Sequence, residues 1–230
     1  MARRRRIIID TDPGIDDALA IFMALTSPEL EVIGLTTIFG NAEVAVTTRN
    51  ALALLEIAGC SEIMVAAGAA KPLAGLYGGA VPHIHGKDGQ GDCGMIAPSG
   101  RPVGLSAEKF LRETVMAHPS EVTIVAIGPL TNLALALQAE PEIARQVERV
   151  VIMGGNALVP GNATPAAEAN ILNDPEAADF VFGATWPVTM VGLDVTHQAL
   201  LTDDAAADRR FAQADQPAHR RRAALLSRLL

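Results

Sequence analysis

Four aspartates lie within eight residues near the start of the chain, and their type and spacing indicate chemistry. The run IIIDTDPGIDDALAI carries them at Asp10, Asp12, Asp16 and Asp17, on either side of a Pro13-Gly14 turn. Carboxylates this close raise one another's pKa unless a cation or hydrogen-bond donors relieve the repulsion. Because the run contains neither Cys nor His, it favours a hard, oxygen-seeking ion such as Ca²⁺ over Zn²⁺.

Helix capping is the structural alternative for part of this cluster. Three isoleucines before Asp10 predict a buried strand, and the apolar spacing after Asp16 predicts a helix, so the acids share one strand-to-helix junction. Acids in a first helical turn are stabilising in their own right. Capping accounts for Asp16 or Asp17 but not for Asp10 and Asp12, so we favour a metal site.

Apolar runs typical of strands alternate along the chain with runs typical of helices. The strand-like runs are RIIID, EVIGLTTIFG, EIMVAAG, VTIVAIG, RVVIMGG and PVTMVGLDV, and the helix-like runs are DDALAIFMALTS, AEVAVTTRNALALLEIAG, SAEKFLRETVMAH, TNLALALQAE and PEAADFVFGA. This alternation predicts an α/β protein, with a Rossmann-like, mostly parallel sheet flanked by helices on both faces. At this length, residues 1–230 are expected to form a single domain.

Polar residues follow the strand-like runs, and two long segments, 69–105 and 156–173, carry more of them. The carboxyl ends of parallel strands share one edge, where ligands bind. The residues expected at that edge are Asn41, Ile127, Asn156 and Asp194 after strands, with His83, His85, Asn162, Glu168 and Asn170 in the long segments. Asn41 or Asn162 alone would be assigned to a turn. Their convergence with the acids favours a pocket for hydroxyl groups, with a sugar as the ligand.

Composition and charge narrow the class of protein. The net charge of −8 disfavours a general affinity for nucleic acid. No apolar run is long enough to span a bilayer, and the opening MARRRR lacks the apolar stretch and cleavage site of a secretory signal. Cys60 and Cys93 have neither metal-ligand nor redox spacing. We therefore expect a cytoplasmic protein whose partners include neither nucleic acid nor membrane.

Five separated motifs together resemble the nucleoside hydrolases. They are DTDPGIDDA, TTIFGN, AIGPLTNLALAL, VIMGG and GNATPAAEANILNDPEAA, in that order, and the resemblance runs from about Arg6 to His197. It implies the nucleoside hydrolase fold and a calcium-dependent enzyme that cleaves the N-glycosidic bond of ribonucleosides, releasing ribose and a free base. Relatives commonly form dimers or tetramers, so a homodimer or homotetramer is expected. Both purine and pyrimidine nucleosides remain candidate substrates.

The resemblance implies roles for the residues of this chain that match the family's motifs. Asp12 is expected to be a metal ligand and the general base, Asp17 a bidentate metal ligand, and the backbone oxygen of Ile127 a further ligand. Asp10 has a supporting role, and His85 matches a histidine near the nucleobase. The expected ribose-binding set is Asp16, Asn41, Asn162, Glu168 and Asn170.

The residue types also suit the implied reaction. Glycosidic cleavage passes through an oxocarbenium-like state, with a nucleophilic water on one face of the sugar and a leaving group on the other. A cation and Asp12 together could activate the nucleophilic water. Protonation of the leaving group by His85 is one alternative, and a pocket-lining or turn role for that histidine is the other.

One late motif of the family has no counterpart. The family usually carries a His-Asp pair beyond the point where this chain ends, whereas here His197 precedes Gln198 and His219 precedes Arg220. We therefore expect a nucleoside hydrolase-like domain that is C-terminally incomplete. Calcium affinity is expected to be weakened, because it follows the charge count of the ligands.

Two other classes of function stay open from the residues alone. One is a catalytically impaired remnant of this fold, which binds calcium and ribose without turnover. The other is a phosphoryl-transfer enzyme, because an Asp-x-Asp after a first strand also occurs in aspartate-nucleophile phosphatases. Pro13 and Gly14 directly after Asp12 do not suit that nucleophile loop. No strand-like run leads into a G-x-G-x-x-G turn, which disfavours a nicotinamide-binding protein.

Overall fold

A computed structural model describes residues 3–199 and contains one six-stranded sheet in which every pair of neighbouring strands is parallel. The strands are β1 (Arg5–Thr11), β2 (Leu30–Thr37), β3 (Met64–Ala67), β4 (Val122–Ala126), β5 (Arg149–Met153) and β6 (Val188–Val191). The helices of the described residues are α1 (Ile15–Thr26), α2 (Val44–Ala58), α3 (Pro82–His85), α4 (Ala107–Ala117), α5 (Thr131–Ala139), α6 (Ile143–Gln146), α7 (Ala169–Asn173), α8 (Pro175–Phe182) and α9 (Leu193–Thr196).

The strand order β3-β2-β1-β4-β5-β6 creates a switch point in the middle of the sheet. The chain adds β2 and β3 on one side of β1 and then returns to add β4, β5 and β6 on the other side. Connections that leave in opposite directions open a crevice beyond the carboxyl ends of β1 and β4. The predicted parallel sheet is confirmed, and its central crevice begins where Asp10 and Ala126 pair in register.

Helices cover both faces of the sheet, and the isoleucines of β1 point alternately to one face and the other. Ile7 and Ile9 pack in a core with residues of α1 and α2, whereas Ile8 packs on the opposite face with residues of α4, α5 and α8. Asp10 follows Ile8 by two positions and therefore points to the α5 face. The period of the strand thus decides which helix meets each aspartate.

Short helices account for the main differences from the sequence prediction. The run PVTMVGLDV was predicted as one strand, but β6 ends at Val191 and α9 begins at Leu193. A Cβ at Gly192 would lie 2.8 Å from the carbonyl oxygen of Gly155, so only glycine passes here as the chain turns. The predicted loops also contain α3 and α7, which are too short to show helical periodicity.

Two other predictions concern the ends of the chain and its relation to membranes. The late His219 and the basic run Arg220–Arg222 lie outside the described residues. Within residues 3–199 no helix is both long enough and apolar enough to cross a bilayer.

Candidate active site

Asp10, near the end of β1, and Asp12, directly after it, are buried carboxylates, with exposed fractions of 0% and 1%. Asp10 Oδ1 accepts hydrogen bonds from the Thr36 hydroxyl and from Asn132 Nδ2, the latter at 2.8 Å. Asp12 Oδ2 accepts one from the backbone N–H of Asn41 at 2.7 Å. Their other oxygens, Asp10 Oδ2 and Asp12 Oδ1, are buried without a hydrogen-bond partner among the described residues.

Burial governs the acidity of this pair. It raises the pKa of Asp10 to about 7, against the opposing hydrogen bonds from Thr36 and Asn132. It also raises the pKa of Asp12 well above the usual range, and the nearby charge of Asp17 adds to that shift. Both carboxylates therefore favour an added proton or cation.

Asp17 is the residue that caps α1. Its Oδ1 accepts from the Thr11 hydroxyl at 2.6 Å, and its Oδ2 accepts from Gly14 N at 2.9 Å and Asn41 Nδ2 at 3.2 Å. Burial and then the charge of Asp16 raise the pKa of Asp17. Asp16 itself is exposed. The capping alternative thus applies to Asp17, while Asp10 and Asp12 need another explanation, as the sequence indicated.

Two glycines leave room for the Asp12 side chain between neighbouring loops. A Cβ added at Gly40, after β2, would lie 2.0 Å from Asp12 Oδ2. A Cβ at Gly128, after β4, would lie 2.6 Å from Asp12 Oδ1. The carboxylate of Asp12 therefore lies between the backbones that follow the strands on either side of β1, at the predicted edge.

Asn41 and His85 both contact the acidic turn. Asn41 Nδ2 donates to the carbonyl oxygen of Asp12 at 3.1 Å as well as to Asp17. His85, with an exposed fraction of 8%, accepts a hydrogen bond at Nδ1 from the backbone N–H of Ile15 at 3.2 Å. A ring nitrogen that accepts carries no proton, so the neutral ring has its proton on Nε2. Burial lowers the pKa of His85, which keeps the ring neutral, against the opposing charge of Asp16.

The long loop after β5 is held by the three polar residues that the sequence singled out. Glu168 caps α7, accepting from the backbone N–H groups of Asn170 and Ile171, and its Oε2 also accepts from Gly155 N at 2.9 Å. Asn162 Oδ1 accepts from Ala169 N at 2.9 Å. Asn170 Nδ2 donates to the carbonyl oxygens of Ile127 and Met153, both at 3.1 Å.

The structure brings most of the predicted site residues to one edge and leaves others outside it. Ile127 is tied to β1, since its N–H donates to the carbonyl oxygen of Asp10 at 2.8 Å. Asp194 instead accepts from the backbone of Ala157 and Leu158, which lowers the pKa of its carboxyl group. His83 is exposed on α3. Asp194 therefore supports the loop after β5 rather than the acidic cluster.

Three buried or half-buried residues of the site escaped sequence reasoning. Asn132 of α5 donates to Asp10 Oδ1 and to Thr37 O, and it accepts from Ala69 N, so one side chain joins the ends of three strands. Gln90 donates to the carbonyl oxygens of Pro13 and Gly14, both at 2.8 Å. Tyr77 donates to Gly40 O at 2.7 Å. The only sequence signal was the polar Asn132 within the apolar run LTNLALAL.

The predicted metal ligands are of the kind that a hard cation prefers. Among the described residues no group of three or more His, Cys, Asp or Glu side chains qualifies as a metal cluster. The predicted ligands number only two side chains, Asp12 and Asp17, with a backbone oxygen as the third. All are oxygen atoms, and two buried carboxylate oxygens, Asp10 Oδ2 and Asp12 Oδ1, lack a hydrogen-bond partner within residues 3–199. This chemistry fits calcium or magnesium and not a thiolate- or imidazole-bound metal.

The fold and the site together define a class of protein: a doubly wound α/β protein with an acidic site at the switch point between β1 and β4. The sequence profile of the family described as inosine-uridine preferring nucleoside hydrolase matches residues 7–230. The chain therefore belongs to the inosine-uridine preferring nucleoside hydrolase family, and the resemblance drawn from the motifs is confirmed.

Individual relatives agree with this membership. A probable uridine nucleosidase 2 of Arabidopsis thaliana is 52% identical over 202 residues, which are 87% of this chain and 63% of that protein. An inosine-uridine preferring nucleoside hydrolase of Leishmania major is 46% identical over 200 residues, 86% of this chain and 63% of that protein. A solved plant nucleoside hydrolase superimposes with a TM-score of 0.91 at 43% identity, over 97% of this chain and 70% of its own. The chain thus spans less than two thirds of the length of these curated relatives.

Proposed function

We propose that this chain carries the site of a ribonucleoside hydrolase, which cleaves the N-glycosidic bond and releases ribose and a free nucleobase. The observation that carries the proposal is Asp12, whose side chain is 1% exposed while its Oδ1 lacks a partner among the described residues. A buried carboxylate oxygen without a donor is unfavourable unless a ligand completes it. Membership of the family supports a nucleoside and a cation as those ligands.

Asp12 is the proposed general base. Because burial and the Asp17 charge raise its pKa, its carboxylate accepts a proton more readily than that of an exposed aspartate. Oδ1 takes the proton of the water that attacks the anomeric carbon, while the N–H of Asn41 holds Oδ2. As the new C–O bond forms, the bond to the base breaks and its electron pair leaves with the base.

Ribose binding is proposed for Asp16, Asn41, Asn162, Glu168 and Asn170. Asp16 is exposed beside the buried Asp17 and offers a carboxylate to the sugar hydroxyls. Glu168 Oε1 and Asn162 Oδ1 each accept one backbone N–H, and each keeps a second lone pair for a hydroxyl. Contacts remote from the anomeric carbon supply binding energy that orients the sugar.

His85 is the proposed contact to the nucleobase. Its Nδ1 accepts from Ile15, so the proton of the neutral ring lies on Nε2, which can donate a hydrogen bond to the departing base. The lowered pKa of the ring argues for donation by a neutral imidazole rather than for a stored imidazolium. This hydrogen bond reduces the negative charge that the nucleobase acquires as it leaves.

Calcium is the proposed cofactor, with Asp12, Asp17 and the backbone oxygen of Ile127 as ligands and Asp10 in support. When bound, it would offset the charge of the acidic cluster and acidify nearby water. Asp10 supports the site through its backbone, because its carbonyl oxygen accepts from the N–H of Ile127. Asn170 holds the Ile127 carbonyl from the other side.

The remaining parts of the proposal rest on the sequence resemblance and on the names of relatives. Uridine and inosine are the first substrates to test, because they appear in the names of the Arabidopsis and Leishmania relatives. A cytoplasmic location and a homodimeric or homotetrameric assembly belong to the same proposal. Fluorescence microscopy of a tagged chain and analytical ultracentrifugation test them directly.

Release of ribose is the experiment that tests the function. The protein is incubated with uridine and inosine in calcium, beside Asp12→Asn and a control, Asp179→Asn, which alters an exposed acid of α8. We expect Asp12→Asn to lower kcat by a factor on the order of 10²–10⁴, the usual contribution of a general base. Asp179→Asn should match the wild type. No ribose release by the wild type above the Asp12→Asn background would refute the enzyme.

Calorimetry distinguishes the enzyme from the catalytically impaired remnant. The observation that favours the remnant is that Asp17 and Glu168 already accept hydrogen bonds from this chain's own donors on both of their oxygens. Heats of binding for calcium and ribose without product formation would support the remnant. Product formation would exclude it.

A further inference from the structure

The peptide unit between Gly40 and Asn41 links a tyrosine to the proposed general base. Its N–H, on Asn41, donates to Asp12 Oδ2 at 2.7 Å. Its C=O, on Gly40, accepts from the hydroxyl of Tyr77 at 2.7 Å. Because a peptide unit is planar, any rotation that moves the carbonyl away from Tyr77 also turns the N–H away from Asp12.

This peptide unit has little room, and Gly40 contributes no side chain to hold it. Gly40 has φ +156°, and a Cβ there would lie 2.0 Å from Asp12 Oδ2. Hydrogen bonds must therefore fix the orientation of the plane. A hydrogen bond to the carbonyl also polarises the peptide, which strengthens its N–H as a donor to the carboxylate.

Tyr77 is well placed for this task, although it lies in a glycine-rich segment. Its ring packs edge-on against Phe39, with centroids 5.2 Å apart and planes at 62°. Positions around it are open, because a Cβ at Gly75, Gly78 or Gly79 would meet nothing within 4 Å, and Leu76 is 87% exposed. Tyr77 therefore anchors this segment on the loop that follows β2, together with the backbone N–H of Val81, which donates to Asn41 O.

The protonation state of Tyr77 suits a permanent donor. Burial raises the pKa of its phenol to about 12, and the charges of Asp12 and Glu43 contribute. The hydroxyl therefore keeps its proton across the range in which an aspartate can act as a base.

We propose that Tyr77 is a positioning residue for Asp12: through the Gly40–Asn41 peptide it keeps Oδ2 engaged, so that Oδ1 is the oxygen left for the reaction. The link to catalysis rests on the proposed hydrolase function. The geometric part, from the phenol to the peptide to the carboxylate, does not. Tyr77 acts on the reaction through another residue.

Removal of the phenol oxygen alone tests the inference. Tyr77→Phe keeps the ring against Phe39, and Thr26→Val serves as the control because it removes a hydroxyl that donates to Phe22 O at the end of α1. We expect Tyr77→Phe to move the Asn41 amide proton upfield and to lower kcat about three- to tenfold, as loss of one modest hydrogen bond does. KM for uridine should stay within about twofold, because binding contacts are intact. Thr26→Val should change neither quantity.

A second measurement avoids any effect of a substitution on folding. The chain has a single tyrosine, so 3-fluorotyrosine places one more acidic phenol at position 77 only. A stronger donor should move the Asn41 amide proton downfield, opposite to Tyr77→Phe. If the Asn41 resonance stays unchanged in both proteins, the inference is wrong, whatever the activity.

The two proposals fail in different ways. If the wild type hydrolyses uridine and Tyr77→Phe has the same kcat, the hydrolase stands and the positioning role is overturned. If the wild type releases no ribose but the Asn41 resonance moves in opposite directions in the two proteins, the positioning role stands. In that case only its link to hydrolysis is lost.

Discussion

Asn170 donates its side-chain N–H to the carbonyl oxygen of Ile127 at 3.1 Å, and so joins the loop after β5 to the end of β4. The same amide nitrogen also donates to Met153 O, at the end of β5. Ile127 in turn donates its N–H to Asp10 O in β1. One side chain thus connects the predicted ribose loop with the backbone oxygen that the proposal assigns to calcium.

Asn170→Ala is therefore expected to weaken calcium binding as well as ribose binding. The Ile127 carbonyl would lose the donor that orients it, and residues that orient a metal ligand typically contribute about 10- to 100-fold in affinity. Isothermal titration with calcium, without nucleoside, measures this change. Asn156→Ala is the matched control, because Asn156 Nδ2 donates to Val159 O and Ala166 O, both in the same loop. Equal calcium affinities for the two variants would contradict the prediction.

Gly128→Ala is expected to displace the carboxylate of Asp12. The new Cβ would lie 2.6 Å from Asp12 Oδ1 and 2.9 Å from Ile38 Cγ2, closer than atoms can approach. A displacement of about 1 Å at a reacting group lowers activity by about 10²-fold, so we expect at least that loss in kcat/KM. Steady-state kinetics with uridine measures it.

The control for this substitution is Gly104→Ala, where a Cβ would meet nothing within 4 Å. We expect its kcat/KM and its melting temperature to match the wild type. Full activity of Gly128→Ala would show that Asp12 Oδ1 is not the reacting oxygen.

The sheet and its acidic edge could be predicted because their signals are local. Three isoleucines before Asp10 mark a buried strand, and the Pro13-Gly14 turn follows at once. The error at PVTMVGLDV was local as well, since apolar residues continue past Gly192 and do not distinguish a strand from the short helix α9.

The contacts that hold the site could not be predicted, because they join distant parts of the chain. Asn132 meets Asp10 across 122 positions, and Gln90 meets Pro13 across 77. A polar residue on a buried helix face signals that a partner exists but does not identify it. Only the strand order, which places α5 over the end of β1, makes Asn132 a neighbour of Asp10.

Stability is expected to fall as the pH rises when calcium is removed. Burial raises the pKa of Asp10 from 3.8 to about 7, so the folded protein holds that proton more tightly than the unfolded chain. The contribution of this proton to the stability of the folded protein is fully present below the pKa of Asp10 in the unfolded chain. It is lost as the pH rises through about 7. The shift of about three units corresponds to about 4 kcal/mol. Melting temperatures in a chelator should therefore be lower at about pH 8 than at about pH 5.

Two further measurements test whether the acidic site, and Asp10 in particular, causes this pH dependence. Calcium added at about pH 8 should raise the melting temperature, because a ligand that binds only the folded state stabilises it. Asp10→Asn removes one of the titrating groups and should reduce the slope of melting temperature against pH. A slope in Asp10→Asn equal to that of the wild type would show that Asp10 titrates alike in the folded and unfolded states.

His85→Phe is expected to affect substrates according to how much their leaving groups need a hydrogen bond. A neutral His85 with its proton on Nε2 helps a nucleobase that departs with negative charge, and such assistance is typically worth about 10²–10⁴-fold. The leaving group of a p-nitrophenyl riboside is p-nitrophenolate, which departs as a stable anion and needs little help. We therefore expect kcat for uridine to fall by at least about tenfold while kcat for the p-nitrophenyl riboside stays near that of the wild type. His83→Phe, which alters the exposed histidine of the same helix, is the matched control. An equal loss on both substrates would mean that His85 acts through its contact with Ile15, by holding the acidic turn, and not on the leaving group.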